Sequence, residues 1–292
     1  MKRKGIILAG GKGTRLHPST LVTSKQLLPV YDKPMIYYPL STLMLADIRE
    51  ILIICTPSDI HLFKKLLGEG KQYGLQIEYA AQPSPKGLAE ALIIGESFLD
   101  HSPSCLILGD NIFYGNAFQN TLSAAHSILD GATIFAYNVR DPHEYGIVQI
   151  NEKYSNIISL EEKPKNPKSN LAVTGLYFYD EHAPSYAKNL APSDRGELEI
   201  TDLNKVYLAK GQLNYKILGR GNTWIDTGTP ENLLDAQIFI HNIQKRQGLI
   251  VSCIEEIAYR KNWISVFELE ELSLKYNNKY GLYLRSLMDN DH

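Results

Sequence analysis

The sequence has few of the features that quickly assign a chain to a class of protein. Cysteine is scarce, and Cys55, Cys105 and Cys253 are too far apart for a disulfide framework or a C-x-x-C metal site. Cys55 and Cys105 stand in apolar runs, where a small core side chain is expected rather than a reactive thiol. No spacing typical of metal ligands connects the following histidines: His17, His61, His126 and His143.

Long apolar runs and charge of one sign are also missing. No run approaches the roughly 20 apolar residues of a membrane-spanning helix. The basic residues 1–4 resemble the start of a signal peptide, but only residues 6–9 are apolar before Gly10. The net charge of −2 gives no general attraction to nucleic acid or an anionic membrane. We therefore expect a cytoplasmic protein without either partner, in which a local cluster of cations holds any polyanion.

The most informative stretch follows the first apolar run. That run is too short for a core helix, which predicts a buried parallel strand leading into a flexible loop at one sheet edge. The loop combines glycines, a hydroxyl and two cations: Gly10, Gly11, Gly13, Thr14, Arg15 and Lys25. Glycines allow backbone N–H groups to converge on phosphate, and the cations suit phosphate oxygens. A plain turn with two solvated cations is the alternative, but the combination favours a nucleotide site.

Two common nucleotide-binding motifs do not fit this loop. A P-loop requires Gly-Lys-Ser/Thr, whereas Gly13 is followed by Thr14 and Arg15. A dinucleotide fingerprint requires a third glycine at the start of a helix, but position 16 is leucine and Pro18 would interrupt the helix. The loop therefore favours neither ATP hydrolysis nor hydride transfer.

The order of predicted elements indicates an α/β fold. Strands at residues 51–55, 76–80, 104–108 and 132–137 alternate with helices at 59–67 and 87–98. We expect a Rossmann-like, mostly parallel central sheet with helices on both faces. A small β region follows at 146–150, 157–160 and 173–179, then helices at 199–208 and 231–246, and a C-terminal helical appendage at 251–272.

Two aspartates each follow a short apolar segment. Asp110 follows the apolar segment 106–108 and Gly109, and Asp226 precedes a glycine turn and a helix. Because the ends of parallel strands face the ligand crevice, these carboxylates suit Mg²⁺, which takes one or two from the protein. Ordinary turns are the alternative, and sequence alone does not show that the two aspartates meet.

Two further segments carry weaker signals. The Gln82 amide could read a base edge, and Gly87 would allow a ring or backbone to approach closely. Glu162 could accept hydrogen bonds from hydroxyls, and Lys163 could hold a second phosphate. A stiff connecting loop and a solvated Glu-Lys pair are the respective alternatives.

Taken together, these segments resemble the sugar-phosphate nucleotidylyltransferase family. The resemblance runs from about residue 2 to beyond residue 260 and is highly specific in combination. The matching motifs lie at residues 10–16, 24–29, 31–40, 108–111, 161–164, 173–177, 195–202 and 224–229.

The resemblance implies a reaction in which dTTP and α-D-glucose 1-phosphate give dTDP-glucose and pyrophosphate, with Mg²⁺ as cofactor. It implies direct in-line displacement at the α-phosphorus and a first step towards dTDP-rhamnose and related deoxysugars of cell-surface polysaccharide. The same chemistry with UTP or another sugar 1-phosphate is one alternative. A non-catalytic nucleotide-sugar-binding protein is another, which the presence of both cations and both aspartates disfavours.

The resemblance also implies roles for individual residues. Catalytic roles fall on Arg15, Lys25, Asp110, Lys163 and Asp226, of which Asp110 and Asp226 are the implied metal ligands. Nucleotide-binding roles fall on Gly10, Gly11, Gly13, Thr14, Arg15, Gln26, Gln82 and Gly87. Sugar-phosphate-binding roles fall on Asn111, Tyr145, Gly146, Glu162, Lys163, Val173 and Trp224.

Organisation and regulation are implied in the same way. The expected catalytic domain covers residues 1–240, with a nucleotide-binding part at about 1–140 and a sugar-phosphate-binding part at about 141–240. Residues 241–292 form a helical region for oligomer and regulatory contacts. The resemblance implies a homotetramer with feedback inhibition by dTDP-rhamnose, although Asn116 stands where relatives commonly carry histidine. The implied regulatory residues are Tyr114, Gly115, Arg220, Glu256 and Arg260.

Overall fold

The elements of the fold are given for residues 2–151, 153 and 156–289, which the computed structural model describes. The strands are β1 Lys4–Ala9, β2 Pro29–Val30, β3 Lys33–Pro34, β4 Glu50–Cys55, β5 Gln76–Ala81, β6 Ser104–Leu108, β7 Asn111–Gly115, β8 Ala132–Asn138, β9 Gly146–Asn151, β10 Asn156–Glu162, β11 Leu171–Tyr179, β12 Leu213–Leu218 and β13 Asn222–Asp226. The helices are α1 Tyr37–Leu45, α2 Ile60–Leu67, α3 Glu90–Ile94, α4 Glu96–Leu99, α5 Phe118–His126, α6 Ala183–Lys188, α7 Ile200–Ala209, α8 Pro230–Gln247, α9 Ile254–Arg260, α10 Val266–Leu274 and α11 Lys279–Asp289.

A parallel block of four strands, β5-β4-β1-β6, forms the nucleotide half of the central sheet. Successive side chains of a strand point to opposite faces, so each strand contributes to two cores. Ile7, Ile53 and Ile107 enter one core, which α1, α2 and α5 cover. Ile6, Leu52 and Leu106 enter the other, which α3, α6 and α7 cover. Near-continuous apolar strands are therefore explained by burial on both faces, and the predicted α/β class is confirmed.

The β region of the second half continues the same sheet. β11 pairs antiparallel with both β6 and β8, and β9 and β10 extend the sheet beyond β11. β9 begins beside Ala172, near the edge at which β6 ends. A separate antiparallel ribbon joins β7 to β13. The ribbon brings together segments more than 100 residues apart in sequence.

The prediction of one helix over residues 87–98 is wrong in its extent. The segment forms two short helices, α3 and α4, which meet at Gly95. A Cβ at Gly95 would lie 2.7 Å from Cδ1 of Ile6, so glycine allows this turn to approach strand β1 closely. The amphipathic pattern identified the buried face but not the break.

The C-terminal helices α9, α10 and α11 pack against the first half of the chain. Ile254, Leu269 and Leu284 are fully buried in the same core as residues of α1 and β4. Lys261 forms an ion pair with Asp47 at 2.5 Å. The domain boundary at residue 240 stays a prediction, since α8 continues across it. None of the described helices is long and apolar enough to cross a membrane.

A buried carboxylate lies between these helices and the rest of the chain. Glu255 is fully buried and accepts hydrogen bonds from Tyr280 at 2.7 Å and Tyr276 at 3.3 Å. Burial raises the pKa of Glu255 above the ordinary glutamate value, although these hydrogen bonds oppose the shift. The other titratable groups that face it are Cys253, Lys33, Tyr37 and Tyr73.

We expect Glu255→Gln to flatten the pH dependence of stability. Since the native pKa is raised, native Glu255 holds its proton above the unfolded pKa of about 4.3, and its contribution falls as pH rises through the native pKa. The stability of the glutamine variant relative to the wild type should rise across that window, by up to about 1.4 kcal/mol per pH unit. Urea unfolding at several pH values measures this, with Glu271→Gln, an exposed glutamate on α10, as the control. Parallel stability curves would contradict it.

Candidate active site

The glycine loop and Asp110 lie at the same edge of the sheet. β1 ends at Ala9 and β6 ends at Leu108, and these neighbouring parallel strands are in register. The Gly109 N–H donates to the Leu8 carbonyl at 2.9 Å, which extends the pairing by one residue. The predicted meeting of the two strand ends at one edge of the sheet is therefore what the structure shows.

Two glycines give the loop after β1 its backbone conformation. Gly11 and Gly13 have φ of +96° and +58°, a region that favours glycine. The Thr20 hydroxyl donates to the Gly13 carbonyl at 2.7 Å. Thr14 and Arg15 stand exposed in a single 3₁₀ turn, and buried Leu16 anchors that turn. The loop thus presents polar groups outward from a fixed base.

Lys25 is paired directly with Asp110. Its ammonium forms an ion pair with Oδ2, while the Asn111 amide donates to Oδ1 at 3.0 Å. Burial by itself would raise the pKa of Asp110, but the charge and hydrogen bond of Lys25 hold it below the ordinary aspartate value. Asp110 is therefore an ionised carboxylate with a cation beside it.

The second aspartate meets the first through the ribbon. Asp226 ends β13 and stands opposite Asn111, and the Thr227 N–H donates to the Asp110 carbonyl at 3.1 Å. Burial and the Asp110 charge raise the pKa of Asp226 to about 6, while Lys25 and Arg15 oppose this shift. A Cβ on Gly228 would lie 2.8 Å from the Arg15 guanidinium. The ribbon thus unites both aspartates with both predicted cations.

This donor set fits a divalent cation. Two carboxylates repel one another at one site, and a cation between them would relieve that repulsion. The described residues contain no group of three or more His, Cys, Asp or Glu that could hold a metal ion. A pair of carboxylates is what Mg²⁺ uses when phosphate and water complete its shell. Asp110 and Asp226 are the residues that would hold it.

Two predicted sugar-contact residues lie in the framework beneath the site. Asn111 is 1 % exposed, and its Oδ1 accepts from Trp224 Nε1 at 2.6 Å and from the Gly175 N–H at 3.0 Å. Trp224 is also buried, and its ring contacts that of Tyr145. These polar groups make hydrogen bonds within the protein, and a sugar contact by Asn111 or Trp224 stays a prediction.

The predicted base-reading side contains two buried glutamine amides. Gln82 donates to Glu90 at 2.7 Å, and its Oε1 would lie 2.5 Å from a Cβ on Gly10. Gln26 accepts from the Ser24 hydroxyl at 2.7 Å. Gly10 therefore lets the Gln82 amide reach the glycine loop.

Gly87 serves a backbone contact at this side of the site. Its φ is +102°, and a side chain there would collide with the backbone of Leu198. The Leu198 N–H donates to the Lys86 carbonyl at 2.7 Å, and the Leu198 carbonyl accepts from Ala89 at 3.2 Å. The close approach that glycine allows is made here by protein backbone, and a nucleotide contact at Gly87 stays a prediction.

The predicted sugar side is assembled from β9, β10 and α7. Glu162, which stands opposite Gly146, accepts from the Thr201 hydroxyl at 2.5 Å. A Cβ on Gly146 would lie 3.0 Å from that hydroxyl, so a side chain there would crowd the contact. Thr201 contacts this predicted side of the site and lies in the matching segment 195–202, but the sequence assigned it no role, since a threonine in a helix carries no signal of its own.

Lys163 lies just after the end of β10 and Val173 near the start of β11, and these two strands flank β9 in the sheet. Lys163 follows β10 with φ of +42°, and its N–H donates to the Tyr145 carbonyl at 3.0 Å. A left-handed lysine costs about 1 kcal/mol or more, a kind of strain that tends to occur at functional sites. Its side chain is exposed. Val173 is half-buried beside Ala136 near the start of β11.

The predicted regulatory residues fall into two groups. Tyr114 and Gly115 end β7, and the exposed Arg220 stands just before β13, so these three lie at the far end of the ribbon. Glu256 and Arg260 belong to α9, where the guanidinium donates to the carboxylate at 2.7 Å. Their regulatory role stays a prediction.

Comparison with known proteins places this geometry in a family. The nucleotidyl transferase family model matches residues 4–243. A glucose-1-phosphate thymidylyltransferase of Neisseria meningitidis serogroup A is 57 % identical over 98 % of this chain and 99 % of the relative. One from Mycolicibacterium smegmatis is 50 % identical over 99 % of this chain and 100 % of the relative.

Solved structures agree with the sequence comparisons. A Bacillus anthracis chain assigned to the same activity has a TM-score of 0.75 and 42 % identity, covering 81 % of this chain and 94 % of that one. A UDP-glucose pyrophosphorylase complex has a TM-score of 0.74 and 22 % identity, covering 83 % of this chain and 100 % of that one, and shows the shared fold alone. The chain therefore belongs to the nucleotidyl transferase family and, within it, to the glucose-1-phosphate thymidylyltransferases.

Proposed function

We propose that the chain transfers a thymidylyl group from dTTP to α-D-glucose 1-phosphate, giving dTDP-glucose and pyrophosphate, with Mg²⁺ as cofactor. The observation that carries this proposal is the convergence of Asp110 and Asp226 beside Lys25 and Arg15 at the edge where the glycine loop begins. The identity to thymidylyltransferases over nearly the whole chain supports the choice of substrates.

The chemistry requires positioning and charge compensation more than proton transfer. A sugar phosphate is already a competent nucleophile, so the reaction needs no general base and no covalent intermediate. The obstacle is to align two polyanions for in-line attack at the α-phosphorus. When bound, Mg²⁺ supplies electrostatic stabilisation of phosphate charge.

Individual residues then take complementary tasks. The exposed guanidinium of Arg15 offers a donor fork to the triphosphate, and Lys25 is placed to stabilise charge at the reacting phosphate. Lys163, held by strained backbone at the end of β10, would bind the phosphate of the second substrate. Glu162, oriented by Thr201, would accept hydrogen bonds from sugar hydroxyls.

We also propose a homotetramer in the cytoplasm, feedback-inhibited by dTDP-rhamnose, that feeds dTDP-rhamnose and related deoxysugar synthesis for cell-surface polysaccharide. Exposed apolar side chains support the oligomer, since Leu234 and Ile238 lie one turn apart on α8 and are 56 % and 49 % exposed. Tyr31 stands beside the same helix against His241.

The experiment that tests the proposed reaction measures pyrophosphate release. The protein is incubated with Mg²⁺ and glucose 1-phosphate, and dTTP is compared with UTP, CTP, ATP and GTP. We expect the largest kcat/KM with dTTP and no release when EDTA removes the metal. A preference for UTP would change the assigned substrate but not the reaction, and no release with any nucleotide would favour a binding protein. The same assay with other sugar 1-phosphates in place of glucose 1-phosphate measures the specificity for the acceptor.

A further inference from the structure

Asp110 lies in the turn between β6 and β7, and its position there differs from the one that regular pairing of the ribbon would give. Asp226 stands opposite Asn111, so a regular continuation would pair Asp110 with Thr227. Neighbouring side chains on a strand point to opposite faces, and Asp110 would then face away from Asp226. Instead, Asp110 lies in a turn outside both strands. The contacts made to Asp110 at this turn therefore decide where its carboxylate lies.

Thr227 makes two hydrogen bonds to the main chain at this turn. Its N–H donates to the Asp110 carbonyl at 3.1 Å, and its hydroxyl donates to the same oxygen at 2.8 Å. The side chain is fully buried, and its hydroxyl also lies 3.2 Å from Met35 Sδ. A carbonyl is a much better acceptor than a thioether, so the hydroxyl proton belongs to the Asp110 carbonyl.

We propose that Thr227 is the positioning residue that makes the two aspartates of the active site converge. Its hydroxyl crosses from β13 to the turn and holds the Asp110 backbone where the carboxylate turns towards Asp226. The inference rests on the proposed function, in which these two carboxylates hold Mg²⁺.

Neighbouring contacts act on other parts of the same pair. Asn111 donates to the Asp110 carboxylate, and Asn232 donates to the Asp226 carbonyl at 2.8 Å. Asn111 also accepts from Trp224 on β13, one residue away from Asp110. The Thr227 hydroxyl is the side-chain contact between the two segments that is made to the main chain of Asp110 itself, so it bears directly on where that carboxylate lies.

The test compares Thr227→Val with Thr227→Ser. Valine keeps the shape and loses the hydroxyl, whereas serine keeps the hydroxyl. EPR titration of Mn²⁺ is performed with saturating dTDP-glucose, which cannot react in the absence of pyrophosphate. We expect Mn²⁺ to bind about tenfold or more weakly to the valine variant, because groups that orient metal ligands typically affect affinity by about 10–100-fold. The serine variant should bind within about threefold of wild type.

Thermal unfolding separates this effect from loss of structure. Losing one hydrogen bond should lower Tm of the valine variant by only about 2–4 °C. If valine prevents folding, Thr227→Ala provides a second variant without the hydroxyl.

Asp226→Ala distinguishes the proposed metal pair, Asp110 and Asp226, from the proposed positioning role of Thr227. If it loses Mn²⁺ while Thr227→Val binds like wild type, the positioning role is wrong and the metal pair stands. Equal weakening in the valine and serine variants would also overturn the role of the hydroxyl. If Asp226→Ala binds Mn²⁺ like wild type, the metal pair of the proposed function fails, and the inference about Thr227 fails with it.

Discussion

Asp226→Ala is expected to lower kcat about a thousandfold, comparable with the removal of one preorganised electrostatic contact from an active site. The side chain stands where burial and Asp110 already concentrate negative charge, an arrangement that costs stability unless a cation is bound. Its removal should therefore leave Tm unchanged or raise it slightly. Steady-state pyrophosphate release and thermal unfolding measure both effects.

The control for this prediction is another aspartate at the opposite edge of the sheet. Asp130 is exposed and directly precedes Gly131 and β8. The first residue of β8 lies level with the start of β6, whereas Asp110 follows the end of β6. Asp130→Ala removes the same charge and should keep near-normal activity. Activity of Asp226→Ala within about threefold of wild type would remove Asp226 from the mechanism.

Lys25→Ala should be the second severe loss, again about a thousandfold in kcat. The ammonium pairs with Asp110, a proposed metal ligand, so its charge is placed to compensate phosphate charge that grows in the transition state. We expect KM for dTTP to rise much less than kcat falls, because a contact made mainly in the transition state is lost. Loss of the cation should also raise the pKa of Asp110.

A lysine from a surface ion pair provides the matched control. Lys188 on α6 pairs with Glu96 on α4, and both side chains are largely exposed. An exposed pair contributes about 0–1 kcal/mol, so Lys188→Ala should be nearly silent in activity and stability. A large rise in KM for dTTP with normal kcat would show that Lys25 binds the nucleotide without stabilising the transition state.

Much of the fold could be predicted from local pattern. Short apolar runs predicted β1, β4 and β6, because strands buried on both faces need apolar side chains at nearly every position. Thr229 and Pro230 predicted the start of α8, where the Thr229 hydroxyl accepts from the Asn232 N–H at 3.2 Å. The break at Gly95 could not be predicted, since it depends on the distance to Ile6 in a different element.

The residues of the candidate site also divide into those that the sequence could predict and those that it could not. Glycine loops and strand-end carboxylates are visible in sequence because phosphate and metal chemistry restrict the residue types that can serve them. Asn111 and Trp224 were assigned to sugar binding, a role that stays a prediction, and only the structure shows that both are buried and joined by a hydrogen bond. Thr201 and Thr227 carry no local signal, because their importance comes from partners 39 and 117 residues away.

The sequence by itself determined which chemistry this chain carries: a phosphate-binding glycine loop, two cations and two carboxylates on an α/β sheet. Local residue type is enough for that conclusion, because it limits backbone conformation and charge. Only the tertiary structure decided that Asp110 and Asp226 meet, that Lys25 pairs with Asp110, and that a buried threonine joins the two strands. These facts depend on pairing between β7 and β13, which is set by the packing of the whole chain and not by either segment alone.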